Sequence, residues 1–181
     1  MSDHKLLWFD TETTGTNPVE NDVIQVAGQV IRNGQVAEEF NFKCQPFNYD
    51  TIHPKALEVN RTTVEQLREY DTPQTMYRKL LVIFNRHVNK YDKQDKFIAC
   101  GQNVGFDKEF MNHFFKKNGN DYFFSYIHGA SLCTLTMAAM LEVVEGKKIF
   151  TPNYKLETLC KCLGVEIEGA HDALADIVAT R

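Results

Sequence analysis

Two runs rich in β-branched and aromatic residues, separated by Asn33-Gly34, constrain the fold of this chain more than any other feature. The runs cover residues 23–32 and 36–44. Asn-Gly between two such runs favours a two-residue hairpin turn, because both turn positions require a positive φ. The runs are therefore predicted to pair as an antiparallel hairpin, around which the rest of a β-sheet must form.

The remaining pattern predicts an α/β protein. Short apolar runs over 5–9 and 97–100 are typical of buried strands, and the first of them leads into a loop at residue 10. Helix signals mark the segment that starts at Thr62-Thr63 and the ranges 73–89, 107–118, 132–144, 156–163 and 173–181. A hairpin followed by crossover helices predicts a mixed sheet of about five strands, the first three antiparallel, with helices on both faces.

Length and composition predict a single domain over residues 1–181. The chain has 181 residues, of which 43% are hydrophobic, and it contains no internal repeat or Pro/Gly-rich linker. The sequence contains no apolar stretch of about 18 residues, and we expect the short apolar run near residue 5 not to act as a signal peptide. We therefore expect a cytoplasmic protein that does not bind a membrane.

The net charge limits how this chain could bind nucleic acid. Asp and Glu number 24 and Lys and Arg 20, so the formal charge is −4. Four carboxylates that bind cations would account for the whole difference. Affinity for nucleic acid must then come from bound cations and local patches, and we expect it to be weak and distributive.

Asp10 and Glu12 form the first acidic motif. They follow the first strand two residues apart, so their side chains leave the same face as Leu6 and Trp8, which we expect to be buried. Two like charges beside a core are costly unless a cation neutralises them. Alone, the pattern is more typical of an ordinary solvated strand end.

Further acidic residues stand at two other junctions. Asp107 lies where a helix is predicted to begin, so a helix N-cap is its structural alternative. His171 precedes the last helix, Asp172 is expected to cap that helix, and Asp176 should face the same opening. Because the chemistry of such sheets gathers beyond the carboxyl ends of the strands, these groups are expected to form one site. Their oxygen ligands suit Mg²⁺ or Mn²⁺ better than Zn²⁺.

Three motifs resemble those of the DEDDh 3′–5′ exonuclease family, which includes the proofreading epsilon subunit of bacterial replicative polymerases. The motifs are Phe9-Asp10-Thr11-Glu12-Thr13-Thr14-Gly15, Asn103-Val104-Gly105-Phe106-Asp107 and His171-Asp172-Ala173-Leu174-Ala175-Asp176. Their order and separations match the family over nearly the whole chain. The resemblance implies the ribonuclease-H-like α/β fold of that family, which agrees with the mixed sheet predicted above. The segment 54–60 also resembles the nucleotide-pocket segment of epsilon-like members, but Asn60-Arg61-Thr62 stands where the family often has His-Gly-Ile.

The resemblance implies a site that holds two Mg²⁺ or Mn²⁺ ions, with the ligands Asp10, Glu12, Asp107 and Asp176. It implies that His171 is the general base. It further implies substrate contacts by Thr11, Thr13, Val59, Asn60, Asn103 and Phe106. The expected reaction is hydrolysis of the terminal phosphodiester bond at the 3′ end of a single-stranded nucleic acid, with release of nucleoside 5′-monophosphates.

Other functions remain open at this stage. The segment 54–60 favours DNA, but an exoribonuclease that trims RNA 3′ ends or short oligoribonucleotides is an alternative. Another is a non-catalytic nucleic-acid-binding module that associates with a polymerase, and a third is a phosphohydrolase with a small substrate. The resemblance also raises the expectation of a polymerase or other replication partner.

Overall fold

The computed structural model describes residues 4–166 and 173–181. The strands are β1 (Lys5–Thr13), β2 (Val23–Arg32), β3 (Gln35–Lys43), β4 (Phe97–Gly101) and β5 (Ile127–Cys133). They form a mixed sheet in the order β3-β2-β1-β4-β5, with β1 antiparallel to β2 and parallel to β4. The hairpin of β2 and β3 is antiparallel, and β4 and β5 are parallel. The predicted fold class is confirmed.

Seven α-helices lie in the described part of the chain. They are α1 (Pro54–Val59), α2 (Val64–Glu69), α3 (Pro73–His87), α4 (Val104–Lys117), α5 (Thr134–Glu145), α6 (Leu156–Leu163) and α7 (Ala173–Thr180). Among these described helices, none has the length and apolar character needed to cross a membrane.

Local sequence signals explain two of these elements. Asn33 and Gly34 both have positive φ, 52° and 77°, as the hairpin turn between β2 and β3 requires. Thr63 and Gln66 form a capping box at the start of α2, because each side chain accepts a hydrogen bond from the other residue's backbone N–H. Both predictions are confirmed.

The sheet separates two cores of unequal size. On one face, α3 and α4 bury a large cluster that includes Leu7, Phe9 and many aromatic rings, with Phe115 at contact distance from the rings of Phe84 and Phe123. On the other face, α7 packs a small cluster against β1 and β2. The large core fixes the position of β1, and the small one fixes the position of α7 over it.

Three predicted boundaries differ from the structure. β1 continues to Thr13 and does not end in a loop at residue 10, because its antiparallel ladder with β2 extends to Val23. β5 is the fifth strand of the predicted sheet, although its sequence lacks an alternating apolar pattern, and α5 begins after it at Thr134 and not at residue 132. α4 begins at Val104, three residues before the predicted start.

The expected burial of Leu6 and Trp8 is also wrong. Both side chains are half-buried, whereas their neighbours Leu7 and Phe9 on the opposite face are buried. The reason is that the face of Leu6 and Trp8 is covered by the small cluster under α7 and not by the large core.

Candidate active site

Asp10 and Glu12 occupy alternate positions of β1, the central strand of the sheet. Asp10 lies opposite Ala27 of β2, and Glu12 lies opposite Gln25. Residues that face each other across an antiparallel pair project to the same side, so both carboxylates share the face of Ala27, which is fully buried beneath α7. The strand therefore aims two acidic groups at the helix that covers it.

Helix α7 supplies the third carboxylate. Its residues Ala173 and Ile177 are buried against Ala27, with Trp8 packed beside them. This packing holds Asp176, the neighbour of Ile177, over the strand. One carboxylate oxygen from each of Asp10, Glu12 and Asp176 lies within 4.8 Å of the other two.

This group, called here the carboxylate cluster (Asp10, Glu12 and Asp176), fits a divalent cation. It contains only oxygen donors, which hard ions such as Mg²⁺ and Mn²⁺ prefer. Each member is half-buried, so a ligand can reach it. Three carboxylates this close disfavour one another's ionisation unless positive charge is placed among them.

Asp107 is not a member of the carboxylate cluster. Its Oδ1 accepts hydrogen bonds from the backbone N–H of Thr11 at 3.0 Å and from the Thr11 hydroxyl at 2.7 Å. Burial raises the pKa of the Asp107 carboxyl, although the Thr11 hydrogen bonds oppose this shift. Three of the four carboxylates therefore lie together as predicted. The fourth, Asp107, is hydrogen-bonded to Thr11 of β1.

The alternative that Asp107 caps a helix is wrong. The N-cap of α4 is Asn103, and Asp107 lies inside the first turns of the helix, where it is 3% exposed. Asn103, two residues after the end of β4, adopts a left-handed conformation with φ of 53°. Glycine is required at position 101, the last residue of β4, because a Cβ there would lie only 2.9 Å from the carbonyl oxygen of Phe9 in β1.

Thr11 and Thr13, which the resemblance implies as substrate contacts, are both buried. The Thr11 hydroxyl donates to Asp107, and the Thr13 hydroxyl donates to the carbonyl oxygen of Gly15 at 2.6 Å. Both hydroxyls therefore position β1 and the loop that follows it.

The segment expected to line the nucleotide pocket is docked on the end of β1. The Asn60 side chain donates its Nδ2–H to the carbonyl oxygen of Thr13 at 2.9 Å. The backbone N–H of His53, which precedes α1, donates to the carbonyl oxygen of Thr14 at 2.8 Å. Val59, the last residue of α1, is 45% exposed. This segment thus borders Glu12, with Val59 open to a ligand.

The start of α4 presents two further residues of the second motif. Asn103 is exposed, and its side chain makes no capping hydrogen bond. Phe106 is half-buried, with its ring centroid 4.6 Å from that of Phe110. Both are therefore accessible to a ligand.

Gln102 has a role that sequence reasoning missed. Its Nε2–H donates to the carbonyl oxygen of Tyr154 at 2.6 Å, and its Oε1 accepts from the Thr134 hydroxyl. It ties the start of α4 to α5 and to the segment that leads into α6. No local pattern signals this contact, because the partners lie 32 and 52 residues away.

His171 and Asp172, for which the sequence predicts the general base and a helix cap, lie outside the described residues.

The mixed sheet with acidic side chains on its central strand is the ribonuclease-H-like exonuclease fold. The chain belongs to the RNase T exonuclease family, whose model matches residues 7–181. Exodeoxyribonuclease I of Haemophilus influenzae is 25% identical over 193 residues, which cover 99% of this chain and 39% of that protein. The PolC-type DNA polymerase III of Bacillus cereus is 25% identical over 183 residues, which cover 99% of this chain and 11% of that protein.

Solved structures agree with these relatives. The crystal structure of E. coli exonuclease I in complex with a dT13 oligonucleotide matches with a TM-score of 0.78 and 26% identity, covering 98% of this chain and 39% of that one. The zinc-bound form of its complex with single-stranded DNA matches with a TM-score of 0.79 and 26% identity, covering 99% and 39%. This chain thus spans about two fifths of the exonuclease I chain and about a tenth of the PolC-type polymerase.

Replacing Thr11 by valine is expected to destabilise the fold by about 1–3 kcal/mol, because the buried Asp107 carboxylate loses a hydrogen-bond donor. Thr11→Ser keeps the hydroxyl and is the matched control. Urea unfolding followed by the fluorescence of Trp8, the single tryptophan, measures the difference. Equal free energies of unfolding for the two variants would contradict the role assigned to the Thr11 hydroxyl.

Proposed function

We propose that this chain is a metal-dependent exonuclease that removes nucleotides from the 3′ end of single-stranded DNA. The observation that carries the proposal is the carboxylate cluster, in which three acidic side chains from β1 and α7 approach within 4.8 Å of one another. Membership of an exonuclease family supports phosphodiester hydrolysis as the reaction. The likeness to exonuclease I bound to oligonucleotides supports single-stranded DNA as the substrate.

In this proposal the carboxylate cluster and Asp107 would hold two Mg²⁺ or Mn²⁺ ions. Asp10, Glu12 and Asp176 offer adjacent oxygens. Asp107, whose Oδ1 accepts two hydrogen bonds from Thr11, would be the fourth ligand. When bound, the ions supply positive charge that neutralises the carboxylates and stabilises the charge developing on the phosphoryl group.

His171 is the proposed general base. It takes a proton from the water whose oxygen attacks the terminal phosphorus, and an unperturbed imidazole pKa of about 6.5 suits this task near neutral pH. The new P–O bond replaces the bond from phosphorus to the 3′ oxygen of the preceding nucleotide. The products are a nucleoside 5′-monophosphate and a strand shortened by one nucleotide.

The exposed residues around the cluster are proposed to hold the terminal nucleotide. The apolar side chains of Val59 and Phe106 offer surfaces on which a base can stack, and the Asn103 amide offers hydrogen bonds. Thr11, Thr13 and Asn60 support them through their bonds within the protein. A terminal nucleotide held in this way must be separated from any complementary strand, which favours a single-stranded substrate.

A polymerase or replication partner is proposed on a separate ground. Several relatives are PolC-type DNA polymerases, in which the matching region is about a tenth of the protein. A partner polymerase in trans would give this chain a proofreading role. Gel filtration with a candidate replicative polymerase would test the association independently of hydrolysis.

The non-catalytic alternative predicts that the chain binds nucleic acid without hydrolysing it. A binding module would not require three acidic side chains to converge at cation-binding distance on its central strand. The exoribonuclease alternative differs from the proposal only in the sugar that the pocket accepts. A side-by-side time course on 3′-labelled single-stranded DNA, duplex DNA and RNA separates all three.

Asp176→Asn is expected to reduce hydrolysis of end-labelled single-stranded DNA to background, because an amide cannot supply the charge that the ions require. Asp121→Asn, which neutralises an exposed acid outside the cluster, is the control and should retain full activity. Gel analysis of the products in Mg²⁺ measures both, and circular dichroism checks folding. Wild-type turnover by a folded Asp176→Asn enzyme would remove Asp176 from the site.

His171→Ala is expected to lower kcat by about 10²–10⁴-fold, the usual contribution of a general base. The variant should also lose the acidic limb of the pH–rate profile, since that limb reports the protonation of the base. His128→Ala, at an exposed position of β5, is the matched control. A loss of less than about threefold, with the acidic limb intact, would exclude the role of base.

A further inference from the structure

Arg61 adopts a backbone conformation that arginine rarely takes. Its φ is 50°, in the left-handed region. It follows α1 in a Schellman motif, in which the Thr62 N–H donates to the carbonyl oxygen of Leu57 at 3.1 Å and the Arg61 N–H donates to that of Glu58 at 3.3 Å. Glycine is the usual residue at this position, because a Cβ is strained there.

Three other helices of this chain have glycine at the corresponding position. The residues with positive φ at the ends of α4, α5 and α6 are Gly119, Gly146 and Gly164. Only α1, among these four helices, ends with a long charged side chain in this conformation. Strained backbone conformations at residues other than glycine cluster at functional sites, which indicates a functional role for the Arg61 side chain.

The Arg61 side chain is available to a ligand. It is exposed, and within the described part of the chain its guanidinium forms neither an ion pair nor a hydrogen bond. Its neighbour Asn60 is anchored on the carbonyl oxygen of Thr13, the residue after Glu12. Arg61 therefore directly follows the residue that anchors the segment 54–60, proposed to hold the terminal nucleotide, on the end of β1.

Two lysines of α4 are committed to the protein by contrast. Lys108 donates to the Ser131 hydroxyl at 2.9 Å, and Lys117 pairs with Asp22 at 2.7 Å. The substrate is a polyanion, whereas the cluster and the net charge of −4 are negative. The Arg61 guanidinium, which has no ion-pair partner among the described residues, offsets this repulsion. A guanidinium also matches the geometry of phosphate oxygens.

We infer that Arg61 binds an internucleotide phosphate of the single strand on the 5′ side of the scissile bond. This inference rests on the proposed function, because the cluster must hold the scissile phosphate for Arg61 to reach the next one. Arg61 thus contributes to strand affinity and has no part in the chemical step.

The charge is tested by Arg61→Gln, with Arg78→Gln as the matched control on an exposed position of α3. Arg61→Gln is expected to raise KM for an oligonucleotide about five- to tenfold, with kcat unchanged. The slope of log(kcat/KM) against log[salt] should become shallower by about 0.7, the value for one phosphate contact on a single strand. Arg61→Lys should restore the slope, and Arg78→Gln should leave it unaltered.

The strain is tested by Arg61→Gly. Because glycine relieves the left-handed conformation, Tm should rise by about 2–4 °C while KM rises as in Arg61→Gln. Thymidine 5′-monophosphate 4-nitrophenyl ester, which has a single phosphate, should be hydrolysed equally by all variants. Reduced hydrolysis of this ester by Arg61→Gln would overturn the inference, since it would place Arg61 at the scissile phosphate.

Failure of this inference can be told apart from failure of the proposed function. A wild-type enzyme that shortens DNA, together with an Arg61→Gln variant of unchanged KM and salt slope, overturns the inference alone. A wild-type enzyme without hydrolysis overturns the proposed function. Fluorescence anisotropy of a labelled oligonucleotide in Ca²⁺ then decides on Arg61, because the same change in salt slope must appear in the binding constant.

Discussion

The two-residue alternation of β1 is the constraint on which the rest of the site depends. Even-numbered positions carry Asp10 and Glu12 to the face covered by α7, and odd-numbered positions carry Thr11 to the face of α4. A shift of one residue in the ladder with β2 would exchange these faces and place both carboxylates in the large apolar core. The fully buried Ala27 lets α7 lie close enough for Asp176 to meet them.

Much of the fold could be predicted from the sequence because its signals are local. The turn at Asn33-Gly34 and the cap at Thr63 depend only on neighbouring residues. The extent of β1 and the bounds of β5 depend on pairing with strands distant in sequence, which no local pattern contains. The half-burial of Trp8 likewise reflects the small size of the cluster under α7.

The candidate site divides along the same line. Asp10, Glu12 and Asp176 meet as their positions at strand and helix junctions predicted. The position of Asp107 differs, because its carboxylate satisfies donors of Thr11 in a buried setting that the motif does not specify. The left-handed Arg61 could not be foreseen either, since the turn that follows α1 would be predicted to contain glycine.

Anomalous diffraction from crystals grown in Mn²⁺ tests the central claim most directly. The account predicts a manganese peak coordinated by carboxylate oxygens of Asp10, Glu12 and Asp176 at about 2 Å, the distance typical of small divalent ions. A Ca²⁺-free, Mn²⁺-saturated crystal with no peak among these three side chains, or with Mn²⁺ bound only elsewhere, would contradict it.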